Sequence, residues 1–180
     1  MSYDLDLFKP AQGEMLEAAT ERFLAYESEE INPGPWDDQK ENLKRLLASA
    51  LIKKNPDLEM CQFRYEVIAV NEKITEEEAR VKYRHIELNE PECRDGIQII
   101  LFDDSAAITV AYWHTGDEAR AVFDKVWGYL KVLQTEAGYV VYDSQIGGVL
   151  NLSTDFPTAL EIYSGGTILT EKIIAESETG

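Results

Sequence analysis

Two histidines, His85 and His114, and two cysteines, Cys61 and Cys93, are all that 180 residues offer for imidazole or thiol chemistry. His114 has the better setting. It follows Trp113 where a strand pattern gives way to a helix pattern, and Asp117 or Glu118 stands near enough in the chain to pair with it. Trp113, His114 and Tyr142 together define a candidate pocket for a small molecule or a substrate. The plainer account is that Thr115, Asp117 and Glu118 start a helix, and that one histidine beside acids is a surface residue. No catalytic residue is assigned.

The remaining chemistry-bearing groups read structurally. Asp37-Asp38 and Asp103-Asp104 are carboxylate pairs, but adjacent residues rarely aim at one point, and both pairs stand where helix caps and turns want Asp. Glu76-Glu77-Glu78 is the acidic first turn of a short helix. No His or Cys lies at ligand spacing from Cys61 or Cys93, so no metal site is predicted. Gly147-Gly148 lacks the helix and lysine of a phosphate loop, no dinucleotide or nucleophile-elbow motif occurs, and no cofactor is predicted. Trp113, Trp127, Tyr129, Tyr139 and Tyr142 could line a pocket, but core packing and strand pairing account for most of them.

Charge narrows the partners. Seventeen basic against 34 acidic residues give a net charge of −17 and a pI near 4.4. Such a surface repels nucleic-acid phosphates and anionic membranes, leaving a basic protein partner, self-association or plain solubility. The opening Met1 to Lys9 carries no basic, apolar leader, and no stretch has the length of a membrane span. A cytoplasmic protein with two reduced thiols is the expectation.

These residues must be positioned by an α+β fold. Tyr3, Leu5 and Leu7 alternate with Asp4, Asp6 and Phe8 as a strand. Leu16, Ala19, Phe23 and Tyr26 share one face of a helix over about 14–27, and Asn32-Pro33-Gly34-Pro35 breaks the chain. A helix over 38–54 starts at an Asp38/Glu41 capping box. Residues 63–70 alternate as a strand, Thr75 with Glu78 caps a short helix, and 81–88 return to strand. Thr115 with Glu118 forms a third capping box before a helix over 116–137, closed by Gly138. Tyr139–Tyr142 pairs with Val149–Leu152 as a hairpin. The reading is a single domain over 1–156, with an antiparallel or mixed sheet of about five or more strands. Its helices pack mainly on one face, and a segment over 157–180 docks on it, split at Gly165-Gly166 and fraying over 176–180.

The hairpin at 97–113 allows a register test. A two-residue turn at Asp104-Ser105 sets Leu101 against Ile108 and Ile99 against Val110, gathering the bulky aliphatics on one face. The other face then holds Ile100, Phe102 and Trp113, too apolar to stay bare without a reason. Either the segment after Pro157 covers it, or Ile100, Phe102 and Trp113 form an interface for a partner or a second copy.

The opening Ser2-Tyr3-Asp4-Leu5-x-x-Phe8, the two helices, and the long helix leading into Gly138-Tyr139-x-x-Tyr142-Asp143 resemble a pattern in small uncharacterised bacterial proteins. Some of these are similar to immunity proteins of polymorphic toxin systems, which are compact, acidic and non-enzymatic. The resemblance assigns no functional residue, and the segment after Pro157 departs from the shorter examples. With the charge of −17, the lack of a catalytic constellation and the second apolar face, the expectation is a non-enzymatic binding protein, an immunity or adaptor protein for a basic partner. The rival reading is an enzyme or ligand sensor using the Trp113, His114 and Tyr142 pocket.

Overall fold

The alternation of Tyr3, Leu5 and Leu7 makes the middle of a sheet. β1 (Ser2–Phe8) buries all three on one face, because successive side chains of a strand point to opposite sides. The computed structural model describes residues 2–27 and 35–178. After β1 come α1 (Leu16–Glu27), α2 (Asp38–Lys54), β2 (Glu59–Met60), α3 (Tyr65–Glu72), α4 (Glu76–Lys82) and β3 (Ile86–Asn89). Then follow β4 (Ile97–Leu101), β5 (Ser105–Ala111), α5 (Gly116–Ala137), β6 (Val140–Asp143), β7 (Gly148–Leu150) and α6 (Phe156–Glu178). The break expected at Asn32-Pro33-Gly34, the side chain of Tyr26 and the fraying at 179–180 lie outside the described residues or side chains.

All seven strands pair antiparallel in the order β2-β3-β4-β5-β1-β6-β7. The core lies against one face, where Leu5, Leu7, Leu88, Ile99, Leu101, Ile108 and Val141 meet the stripes of α2 and α5. Leu47 and Leu51 of α2 and Phe123, Val126, Leu130 and Leu133 of α5 are buried there. This is an α+β domain with helices packed on an antiparallel sheet.

The register of β4 and β5 departs from expectation by two residues. Ile97 faces Val110, Ile99 faces Ile108 and Leu101 faces Ala106, and the turn is Asp103-Asp104. A slip of two keeps every side chain on its own face, so the aliphatic face survives although each partner changes. The turn is drawn back by Asp103, which accepts from buried Lys44 of α2 at 2.8 Å and from Arg84 Nη2.

Residues 65–72 form a helix where alternation predicted a strand. α3 and α4 pack on each other, with Ala69 and Ala79 both buried, and of the predicted 81–88 strand only residues 86–88 pair in the sheet, in β3. Of the three capping boxes, Thr75 with Glu78 is formed in both directions. At α2 the cap is Asp37, one residue earlier, which accepts from the Gln39 and Lys40 amides. Glu41 instead lies 2.5 Å from the Lys44 ammonium. At α5, Thr115 makes no capping bond, and Glu118 turns to His114.

α6 runs unbroken through Gly165-Gly166. Gly166 has to be glycine, because a Cβ there would enter the Tyr112 ring. The helix docks on the core face and not on the opposite one. Buried Tyr163 stacks with Phe123 at 5.1 Å between ring centroids and meets Tyr3 edge-on, and its hydroxyl donates to the Ala111 carbonyl at 2.9 Å.

Candidate protein-binding face

With α2, α5 and α6 all on the core face, the second face of the sheet can be built row by row. Its longest row runs Glu87–Ile100–Ala107–Asp6–Tyr142–Val149 through six adjacent strands. The next row is Asn89–Gln98–Thr109–Asp4. Ser2 and Ala111 lie beyond Asp4, and Ser105, Phe8 and Val140 lie at the opposite end. Only Phe8 of these is buried, under Phe23 of α1, with the rings stacked 4.7 Å apart. Every other side chain named here keeps part of its surface in solvent.

The face is acidic. Asp4, Asp6 and Glu87 stand on it, and no lysine or arginine occupies any of its strand positions. Asp4 accepts from the Ser2 hydroxyl at 3.0 Å. Glu87 accepts from Gln98 at 2.8 Å, Asn89 at 3.0 Å and the Cys61 thiol at 3.4 Å. Burial alone would raise the Glu87 carboxyl, but these donors outweigh it and hold it below the usual carboxylate range. It therefore stays charged at neutral pH. For Cys61 a carboxylate neighbour is the reverse of the electropositive setting that activates a thiol.

The sequence-predicted interface residues are spread out along this face. Ile100 and Phe102 sit close together on β4 and just after it. Trp113 lies past the end of β5, and Phe102 is opposite Ser105 at its start, so the two are about 20 Å apart along the strand. Phe102 touches His85, which also packs on Phe63, with centroid separations of 5.6 and 4.8 Å. Burial holds the His85 imidazole below its ordinary pKa.

Trp113 and His114 are neighbours, whereas Tyr142 is not beside them. Tyr142 faces Asp6 while Ala111 faces Ser2, which puts Tyr142 two strands across and about 13 Å along from the Trp113 end. His114 is buried, its Nε2 2.7 Å from Trp113 Nε1 and 3.0 Å from the Asp95 carbonyl, its Nδ1 3.3 Å from Glu118 Oε1. Both ring nitrogens are thus engaged within the fold. Trp113 is 58% exposed, and its ring lies against Gly96. Trp127, Tyr129 and Tyr139 are core residues.

Sequence reading missed two buried ion clusters, because their members are far apart in the chain. In the first, Lys44 joins Glu41, Asp103 and the Arg84 carbonyl, and Arg84 joins Asp103. In the second, Glu90 accepts from Lys125 and Asn55, each at 2.7 Å, and Asp95 lies 3.0 Å from the same lysine. Burial would raise Glu90, but the bonds from Lys125 and Asn55 prevail and lower it. Glu90 also lies 3.3 Å from Arg94, so each cluster sets two acids against two cations, as burial of charge requires, and fastens loops to helices. Among the described residues no group of three or more His, Cys, Asp or Glu could hold a metal ion, and no helix is long and apolar enough to cross a membrane.

Comparison with protein-family models, with curated proteins and with solved structures finds no match to this chain.

Proposed function

We propose that the protein is a binding protein that engages a basic protein partner through the second face of its sheet. One observation carries the reading. A sheet face six strands wide is left partly exposed, bears Asp4, Asp6 and Glu87, and has no lysine or arginine at its strand positions. Sheets bury a face against another layer when one is available, and the chain's own C-terminal helix lies on the opposite side. The net charge of −17 favours approach of a cationic surface and speeds the encounter. Mixed among the acids, Ile100, Tyr142 and Val149 supply the apolar contact that charge alone does not.

The test is affinity purification of the full chain from its native host beside a Thr109→Lys variant. Thr109 sits on the open face between Gln98 and Asp4. A stoichiometric basic protein recovered with the natural chain and lost with the variant supports the reading. Recovery of the same protein with both chains, or of none with either, rejects it.

A further inference from the structure

Three groups surround the His114 ring, and no single protonation state serves all three. Trp113 Nε1 lies 2.7 Å from its Nε2, and the Asp95 carbonyl lies 3.0 Å from the same nitrogen. Glu118 Oε1 is 3.3 Å from Nδ1. An indole nitrogen only donates, a carbonyl or carboxylate oxygen only accepts, and a ring nitrogen holds either a hydrogen or a lone pair. Nε2 therefore faces one donor and one acceptor and can match only one of them. With the neutral ring's hydrogen on Nδ1, Glu118 accepts it and Trp113 donates to Nε2, while the Asp95 carbonyl faces the same lone pair. The other neutral tautomer matches Asp95 but sets a lone pair against the Glu118 carboxylate and a hydrogen against that of Trp113. The imidazolium donates to both Glu118 and Asp95, and only Trp113 loses its partner.

We propose that His114 is a proton switch, in which uptake of a proton transfers Nε2 from Trp113 to the Asp95 carbonyl and releases the indole. The fold decides which partner moves. Asp95 is held, because its carboxylate accepts from the Ile97 amide at 3.2 Å and lies 3.0 Å from Lys125. The next residue is held too, the Gly96 carbonyl accepting from the Ala111 amide at 3.0 Å. His114 is buried and cannot turn to water. Trp113 can, since it is mostly exposed and its ring only rests on Gly96. The charged groups around the ring accommodate the proton. From α5, Glu118 makes no other ion pair among the described residues. From the loop before β4, the Asp95 carboxylate is occupied by Lys125, which also meets Glu90, itself beside Arg94. From α6, Tyr163 stays protonated, its hydroxyl pushed up to about 12 by burial and donating to the Ala111 carbonyl. Trp113 stands past the Ala111 end of β5, so its release alters the rim of the open face. The switch is complete within this chain and holds whether or not a partner binds there.

Nuclear magnetic resonance of the full chain from about pH 8 to about pH 5, the range in which imidazole changes charge, tests the switch. Three tryptophans give three indole N–H resonances. Two are internal references, since Trp127 donates to the Leu152 carbonyl and Trp36 to Asp38. The Trp113 resonance should shift along the same curve as the His114 ring protons while the references stay in place. Trp113→Phe keeps a ring over Gly96 but deletes the competing donor. His114 should then bind its proton about threefold to tenfold more tightly, the effect of one neutral hydrogen bond. An exposed tryptophan with no part in the switch would leave the His114 curve where it was. Should the variant not fold, the two curves of the natural chain decide alone. A His114 ring that keeps one charge state throughout this range in the folded chain overturns the proposal. So does a Trp113 resonance that stays still while His114 titrates, or a His114 curve unchanged in Trp113→Phe.

Discussion

Asp103→Asn removes one charge from the cluster that fixes the β4–β5 turn, and its effect can be worked from the structure. The two cations it serves are inaccessible, since the Lys44 side chain is 1% exposed and that of Arg84 6%. Glu41 and Asp103 against Lys44 and Arg84 make two charges of each sign. Loss of Asp103 leaves a net positive charge where water cannot reach it. Breaking a buried pair in this way costs about 3–5 kcal/mol. With a urea m-value of about 2 kcal/mol/M, the unfolding midpoint should fall by about 1.5–2.5 M at unchanged slope. The adjacent Asp104 is an internal control. It lies 2.5 Å from Lys40 but is 75% exposed, so Asp104→Asn should cost no more than about 1 kcal/mol. Burial would raise the Asp103 carboxyl, but the bonds from Lys44 and Arg84 outweigh this and hold it below its ordinary value. Its stabilising contribution is therefore complete above about pH 4 and is lost as pH falls further, so the gap between variant and natural chain should narrow in acid. A midpoint for Asp103→Asn no lower than that for Asp104→Asn would refute the reasoning.

Three further outcomes follow from single contacts. Gly166→Ala should lower the melting temperature, because its methyl enters the Tyr112 ring, at about 1–3 kcal/mol. Gly165→Ala meets nothing and should raise stability by up to about 1 kcal/mol, so the opposite order in thermal melts would show that α6 does not dock as described. Thr75→Ala should cost about 0.5–2 kcal/mol and speed amide exchange in α4, whereas Thr115→Ala, which removes no capping bond, should leave α5 unaffected. Burial pushes the Tyr139 and Tyr163 hydroxyls from the ordinary 10 up to about 12. The stability they carry is intact below pH 10 and is lost as pH rises towards 12, so near-ultraviolet difference absorbance should find both ionising together with unfolding. Normal titration of both at pH 10 in a folded chain would contradict that burial.

The sheet and its major helices were legible because their periods are long enough to outweigh local exceptions. The 38–54 and 116–137 helices and the faces of β1, β4 and β5 emerged from spacing alone. At 65–72 the same method failed, since two turns of helix contain too few residues for a 3.6 period to prevail over the alternation of Phe63, Tyr65, Val67 and Ala69. What decides there is the packing of α3 against α4, where Ala69 and Ala79 are buried, a contact between two elements. The β4–β5 turn moved by one residue for a similar reason, drawn by Lys44 and Arg84 from far along the chain. Asp4 and Asp6 could be read as the outward side of a strand. That they share one sheet face with Glu87 depends on which strands flank β1, which no local pattern records.

The position of β1 has a consequence for how the chain folds. Strand β1, earliest of the seven in the chain, is held between β5 and β6, and its Tyr3 hydroxyl reaches Asp143, 140 positions away. Until both neighbours exist, Tyr3, Leu5 and Leu7 have no sheet to enter, and an apolar strand with two open edges waits in the nascent chain. Closing so long a loop is slow. The final folding step should be the insertion of β1, with Asp4 and Asp6 as the charges that keep the waiting strand from pairing with other chains.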